Sequence, residues 1–225
     1  MKLYANPAAT TSRAVLAFCD HDGVDIDMVD VDIMSGEHHQ PEFVSLNPNK
    51  MIPVLDDDGF ILTEASAILR YLAEKVHSEL YPSDLQDQAR VNEIIAWFEA
   101  NFYKDFGFQF VYPQLFPHHS RGTDEANRAT IEFGRAQACT RLAVLDEHYL
   151  AEGRRFLACD RLTIADFFGA SILSLGNLVH CSFADYPNVS RWYGAVADLD
   201  AWQKVNGPFN GFAASLAEEN FVGLS

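Results

Sequence analysis

The residues at the first strand-to-helix junction of this chain are alcohols rather than thiols. Pro7-Ala8-Ala9-Thr10-Thr11-Ser12-Arg13 carries Ala and hydroxyl side chains where a dithiol enzyme would need C-x-x-C. An alcohol cannot form a mixed disulfide, so disulfide exchange at this junction is excluded. Glu64 precedes a helix-forming run, where a carboxylate can accept from free amides of the first turn. Lys50 is a compact permanent cation, and His38 is a donor that titrates near neutrality. The pairs His38-His39 and His118-His119 have no Asp or Cys at ligand spacing, and adjacent residues rarely aim at one ion, so no metal is expected. Cys19, Cys139, Cys159 and Cys181 are scattered and read as structural thiols in a reducing compartment.

The elements that must hold these residues alternate in type over the first eighty positions. Lys2 to Ala5 reads as a strand, and Thr11 to Asp22 as a helix that buries Ala14, Val15 and Phe18 and stops at Gly23. Asp25 to Ile33 alternates Asp with aliphatic residues, as a half-buried strand does. A short helix starts at Pro41. Ile52 to Leu55 and Phe60 to Leu62 flank Asp58-Gly59, a strong hairpin signal. Pro53 lacks the amide a central ladder requires, which predicts an edge or a cis bond. Glu64 to Val76 closes the unit as a helix. The order β-α-β-α-β-β-α matches an α/β thioredoxin-like N-terminal domain.

Beyond a linker at 80–85 the strand signals fade, and helices are expected over Gln86–Phe106, Asp124–Leu150, Thr163–Leu178 and Val189–Leu199. Thr163-Ile-Ala-Asp166 has the form of a capping box. The division is therefore 1–79 for the α/β domain and 86–215 for an all-α C-terminal helical-bundle domain. From Asn210 to Ser225 the chain reads as irregular, with 216–225 a tail. Sixteen Lys and Arg against thirty-two Asp and Glu give a net charge of −16, which repels phosphate backbones and anionic lipids. Nucleic acid and membrane are poor partners. The opening residues lack the charged start and apolar run of a secretory signal, and the expected location is cytoplasmic.

Three segments then carry a resemblance: Gly36-Glu37-His38-His39-Gln40-Pro41-Glu42-Phe43, Asn47-Pro48-Asn49-Lys50-Met51-Ile52-Pro53-Val54-Leu55, and Leu62-Thr63-Glu64-Ala65-Ser66-Ala67-Ile68-Leu69. Followed by a helical domain with the Thr163 to Asp166 box, they resemble glutathione transferases, closest to the theta and delta-like bacterial branch. The resemblance implies a cis Pro53 and a glutathione site formed by His38, Lys50, Met51, Ile52, Pro53, Glu64, Ala65 and Ser66. In it the Ile52 main chain pairs with the cysteinyl backbone, Glu64 faces the γ-glutamyl ammonium, and Lys50 and His38 meet the glycine carboxylate.

Two departures stand out. Relatives place Ser where this chain has Ala65, which leaves the amides of Ala65 and Ser66 for the γ-glutamyl carboxylate. Aligned through Pro7 and Arg13, the hydroxyl residue that the theta-like branch turns on the thiolate falls on Ala9, while the beta branch has a cysteine at Thr10. Thr10 and Thr11 are the nearest hydroxyls able to favour the thiolate, with Ser12 and the Asn6 amide in reserve. Helix capping is their other use.

The aromatic run from Asn101 to His119 is expected to wall an acceptor pocket between the domains, through Phe102, Phe106, Phe110 and Tyr112. The expected reaction is attack of the glutathione thiolate on a small apolar electrophile: a haloalkane, an epoxide or an activated alkene. A glutathione-binding or interaction protein without transferase activity is the alternative that Ala9 favours, and a glutathione-dependent isomerase or reductive dehalogenase is a further one. The family also implies a homodimer, with Asn92 reaching the neighbour's glutathione.

Overall fold

The computed structural model describes residues 1–224. Strand β1 (Lys2–Ala5) leads into helix α1 (Thr10–Asp22), which crosses over to β2 (Asp27–Asp30), parallel to β1. Helix α2 (Pro41–Leu46) precedes β3 (Val54–Asp57) and β4 (Phe60–Thr63), an antiparallel pair, and α3 (Ala65–Lys75) follows. The sheet order is β2-β1-β3-β4. Asp58 and Gly59 have φ of 53° and 93°, the two left-handed positions of a tight hairpin turn. Ile52-Pro53 is cis. Strand β2 is shorter than the Asp25 to Ile33 reading, because it pairs only with β1 over four residues and exposes Asp27, Met28 and Asp30.

Every element from Leu85 on is helical among the described residues. Helix α4 (Leu85–Trp97) is capped by Asp84, whose carboxylate accepts from the amides of Gln86 and Asp87. It passes without interruption into a π-helical stretch, Phe98–Val111, and then α5 (Tyr112–Leu115). The expected break at Phe106 and irregular wall beyond it are thus overturned. Gly107 lies inside the helix, and Pro113 is the second residue of α5, directly after the π-helical stretch. Helix α6 (Asp124–Val144) packs along this stretch so closely that a Cβ at Gly134 would stand 2.5 Å from the carbonyl carbon of Gln109.

Helix α7 (Ile164–Leu173) is buried on all sides and lies against α1. Thr163 and Asp166 form the capping box there. Helices α8 (Pro187–Ala197), α9 (Asp200–Val205) and α10 (Gly207–Ser215) complete the bundle. Helix α10 corrects the expectation of irregular chain from Asn210: Pro208 opens a helical turn, and the buried Phe209 anchors it. The chain beyond it is tied down as well, since Val222 exchanges two hydrogen bonds with the Gln114 side chain. One hydrophobic core runs through both domains, from Leu3, Phe18 and Ile68 to Phe98, Leu142 and Trp192.

Candidate active site

Helix α1 begins with an unfilled cap. Ala9 has the extended backbone of an N-cap, φ −74° and ψ 137°, but its methyl group accepts nothing from the first turn. A capping hydroxyl would satisfy one amide there, and its absence leaves the positive end of the helix open to an anion. The approach to this turn is braced by Asn6, whose Oδ1 accepts from Ala8 N at 3.0 Å while Nδ2 donates to Asp30 Oδ1 and Val31 O. Asn6 is therefore committed to the loop and does not serve as a sulfur donor. Ser12 is fully buried, and its hydroxyl has no partner.

The two threonines face different neighbours. Thr11 Oγ1 donates to the carbonyl of Ile52 at 3.4 Å, joining the helix start to the residue before the cis proline. Thr10 Oγ1 lies 3.1 Å from Tyr112 Oη across the domain boundary, and Tyr112 Oη lies 2.7 Å from Tyr103 Oη. Neither threonine side chain caps its own helix.

The loop bearing Lys50 and Met51 is organised by a residue the sequence reading passed over. Asn47, 2% exposed, donates from Nδ2 to Met51 O at 2.8 Å and accepts at Oδ1 from Asn49 N at 3.0 Å. Its carbonyl takes the Lys50 amide. Lys50 and Met51 are exposed, Ile52 is half-buried and Pro53 buried. Across the sheet, Glu64 is exposed at the N-cap of α3 with φ 67° and ψ 114°. Ala65 follows it, buried. Ser66 is 4% exposed, and its Oγ accepts from Arg70.

His38 stands at a crowded cationic corner. Its Nδ1 is buried without a partner, and its ring centroid is 4.0 Å from that of His39. Burial lowers its pKa, and His39, His118 and Lys50 lower it further by repulsion. His118 belongs to the helical domain, so that domain also contributes a basic group here. The His118-His119 pair carries no sequence signal for this corner, because 80 positions separate His118 from His38.

The acceptor wall differs from expectation. Phe102, Phe106 and Phe110 are 0% exposed, stacked in succession within the core, and present no surface to a ligand. Spaced four apart with Phe98, they form the buried stripe of the helix. Tyr103, Phe108 and Phe116 are instead half-buried around Tyr112, with His119 5.0 Å from the Tyr112 ring and Phe212 of α10 stacked on Phe116. Burial raises the pKa of both Tyr103 and Tyr112, so the two phenols are protonated donors at neutral pH. Asn92 is also occupied: Arg70 Nε donates to its Oδ1 at 2.6 Å, and its Nδ2 donates to Tyr81 Oη at 3.0 Å. Both ends of its amide are therefore engaged within its own chain.

This geometry has well-defined relatives. Residues 1–74 match the family described as "Glutathione S-transferase, N-terminal domain", and residues 103–200 match "Glutathione S-transferase, C-terminal domain". The glutathione S-transferase theta-2 of Homo sapiens is 32% identical over 203 residues, covering 87% of this chain and 80% of that protein. The theta-2 protein of Rattus norvegicus is 31% identical over 195 residues, covering 85% and 78%. The crystal structure of human glutathione transferase theta-2, in complex with glutathione and an unknown ligand, superimposes with a TM-score of 0.83 at 29% identity over 98% of this chain and 92% of that one. With both domain families matched and relatives above 30% identity along most of its length, the chain belongs to the glutathione S-transferase family.

Proposed function

We propose that the protein transfers the glutathione sulfur to a small apolar electrophile such as a haloalkane, an epoxide or an activated alkene. The observation that carries this reading is the uncapped start of α1 at Ala9, set beside the Thr10 hydroxyl and the Ile52 carbonyl. Extended peptide at Ile52 would orient the cysteinyl unit, with Glu64 at the γ-glutamyl ammonium and Lys50 and His38 at the glycine carboxylate. The sulfur then meets the amides and hydroxyls that open α1. Its proton leaves to solvent and the thiolate bonds to the electrophilic carbon; the halide or ring oxygen departs with the electron pair, or, for an activated alkene, the π pair moves onto the electron-withdrawing group and a solvent proton completes the product. The protein contributes proximity and charge stabilisation. Tyr103, Phe108, Phe116 and Phe212 would supply the apolar side of the acceptor site.

The test is calorimetric titration with glutathione alongside conjugation assays with a chloroarene, an epoxide and an iodoalkane. Binding with glutathione-dependent product is expected. No binding at millimolar glutathione sinks the proposal, whereas binding without any product supports the second reading, which the missing hydroxyl at Ala9 keeps open: a glutathione-binding protein on this scaffold.

A cytoplasmic homodimer belongs to the same proposal. Phe60 on β4 and Leu85 at the start of α4 are 52% and 77% exposed, apolar surface that a second copy would cover. Light scattering at micromolar concentration is expected to give the mass of two chains, and a single-chain mass would contradict it.

A further inference from the structure

We propose that Tyr112 and Tyr103 are positioning residues for the glutathione thiolate, ordering the Thr10 hydroxyl proton toward the start of α1 through a chain of three hydroxyls. The inference rests on the glutathione-transfer reading above. Tyr103 Oη to Tyr112 Oη is 2.7 Å and Tyr112 Oη to Thr10 Oγ1 is 3.1 Å. Each hydroxyl has one proton, so a line of three has two ordered directions. If Tyr103 donates to Tyr112 and Tyr112 to Thr10, the Thr10 proton is left over and is available beside Ala9. In the opposite direction Thr10 spends its proton on Tyr112, and the proton left over is that of Tyr103. An anion at the opening of α1 selects the first direction, and donation along the chain strengthens each successive bond.

The surroundings hold the chain in its neutral, proton-bearing form. Both phenols are pushed above their ordinary pKa by burial, against smaller opposing pulls from hydrogen bonding to Thr10, for Tyr112 also to Tyr103, and from Arg13. The titratable groups facing them are Arg13 on α1 and His119 beyond α5, whose ring lies 5.0 Å from that of Tyr112. None is a carboxylate, so nothing nearby competes with a bound thiolate for the Thr10 proton. The chain also crosses between domains, which makes the position of the long helix part of the thiolate site. With alanine at the cap, the donor comes from the next residue and is oriented from the opposite domain.

Thiolate absorbance of bound glutathione, followed against pH, tests this in the wild type and in Tyr112→Phe, Tyr103→Phe, Thr10→Val and Thr10→Val/Tyr112→Phe. The bound thiol pKa is expected to rise by about one unit in Tyr112→Phe and by less in Tyr103→Phe, with the glutathione dissociation constant changed by less than about twofold. The double variant is expected to match Thr10→Val alone, because both changes interrupt one chain. Phenylalanine keeps both rings, and should Tyr112→Phe fail to fold, Tyr103→Phe decides, since it removes the hydroxyl paired with Tyr112 Oη and leaves the ring in place. Unchanged pKa in both Phe variants, additive effects in the double variant, or a wild-type thiol pKa equal to that of free glutathione would each overturn the relay without touching glutathione binding. A wild type that binds no glutathione would remove the parent reading and the relay together.

Discussion

The guanidinium of Arg13 lies against the ring of Phe209, 3.7 Å from its centroid, so a cation on α1 is seated on the first turn of α10. Arg13 is fully buried, and no salt bridge reaches it among the described residues. Its partners are neutral: one terminal nitrogen donates to Asn206 Oδ1, and the other donates to Ser174 Oγ at 2.8 Å and Ser171 O at 3.3 Å. Burial draws its pKa down to about 10, which still leaves it charged at neutral pH. The same residue sits one turn beyond Thr10. The seat therefore fixes the start of α1 relative to the helices that carry Ser171, Ser174 and Phe209.

Arg13→Lys is expected to destabilise the protein by about 2–4 kcal/mol, because an ammonium cannot bridge three acceptors in a planar fork and leaves buried oxygens unpaired. Chemical denaturation monitored by tryptophan fluorescence measures it. A loss smaller than about 0.5 kcal/mol would mean that the buried cation is not a lock between the domains.

Much of the N-terminal domain was legible because its signals are local. Gly23, Asp58-Gly59 and Pro53 each impose a backbone state that few other residues adopt, and each marks an element end in the structure. Gly107 and Pro113 are helix-breaking residue types, yet both lie within the continuous helical run, and at Gly107 the absence of a Cβ makes room for the Tyr103 ring. The four-residue spacing of Phe98, Phe102, Phe106 and Phe110 marked the buried stripe. Tyr103 and Tyr112, with polar tips needing partners, marked the other face. What no sequence pattern could supply was the pairing of Thr10 with Tyr112, 102 positions apart.

Asp166 gives a prediction about pH. It is fully buried, and burial pushes its pKa from 3.8 up to about 6, although Leu157 N, Trp192 Nε1 and the Thr163 amide and hydroxyl all donate to it. The fold thus holds this proton more tightly than the unfolded chain. Its contribution to stability is complete below about pH 4 and is lost as pH rises through about 6, amounting to on the order of 3 kcal/mol. Subtracting the stability of Asp166→Asn from that of the wild type at several pH values isolates the effect. The difference is expected to decline across this window and stay level above it. A flat difference, or one that grows with pH, would show that the four donors outweigh burial.

His38 gives the last prediction, on glutathione affinity. Its pKa is lowered by burial first and then by His39, His118 and Lys50, so at neutral pH it is largely uncharged. If it meets the glycine carboxylate, the protonated ring binds better, and affinity should tighten as pH falls through its depressed pKa. The ligand for the measurement is S-methylglutathione, whose blocked sulfur removes thiol ionisation from the pH profile while its glycine carboxylate stays ionised. Calorimetry between about pH 7.5 and 5.5 is expected to show affinity rising about three- to tenfold toward the acid side. His38→Asn should flatten this profile. Lys50→Met should lower affinity at every pH in the range, because it removes a cation from the same carboxylate. His118→Asn should move the midpoint upward by removing a repelling imidazole, a shift that no loss of a direct contact would produce. If the wild-type profile is flat, His38 does not hold the carboxylate and Lys50 is left as the cation that does.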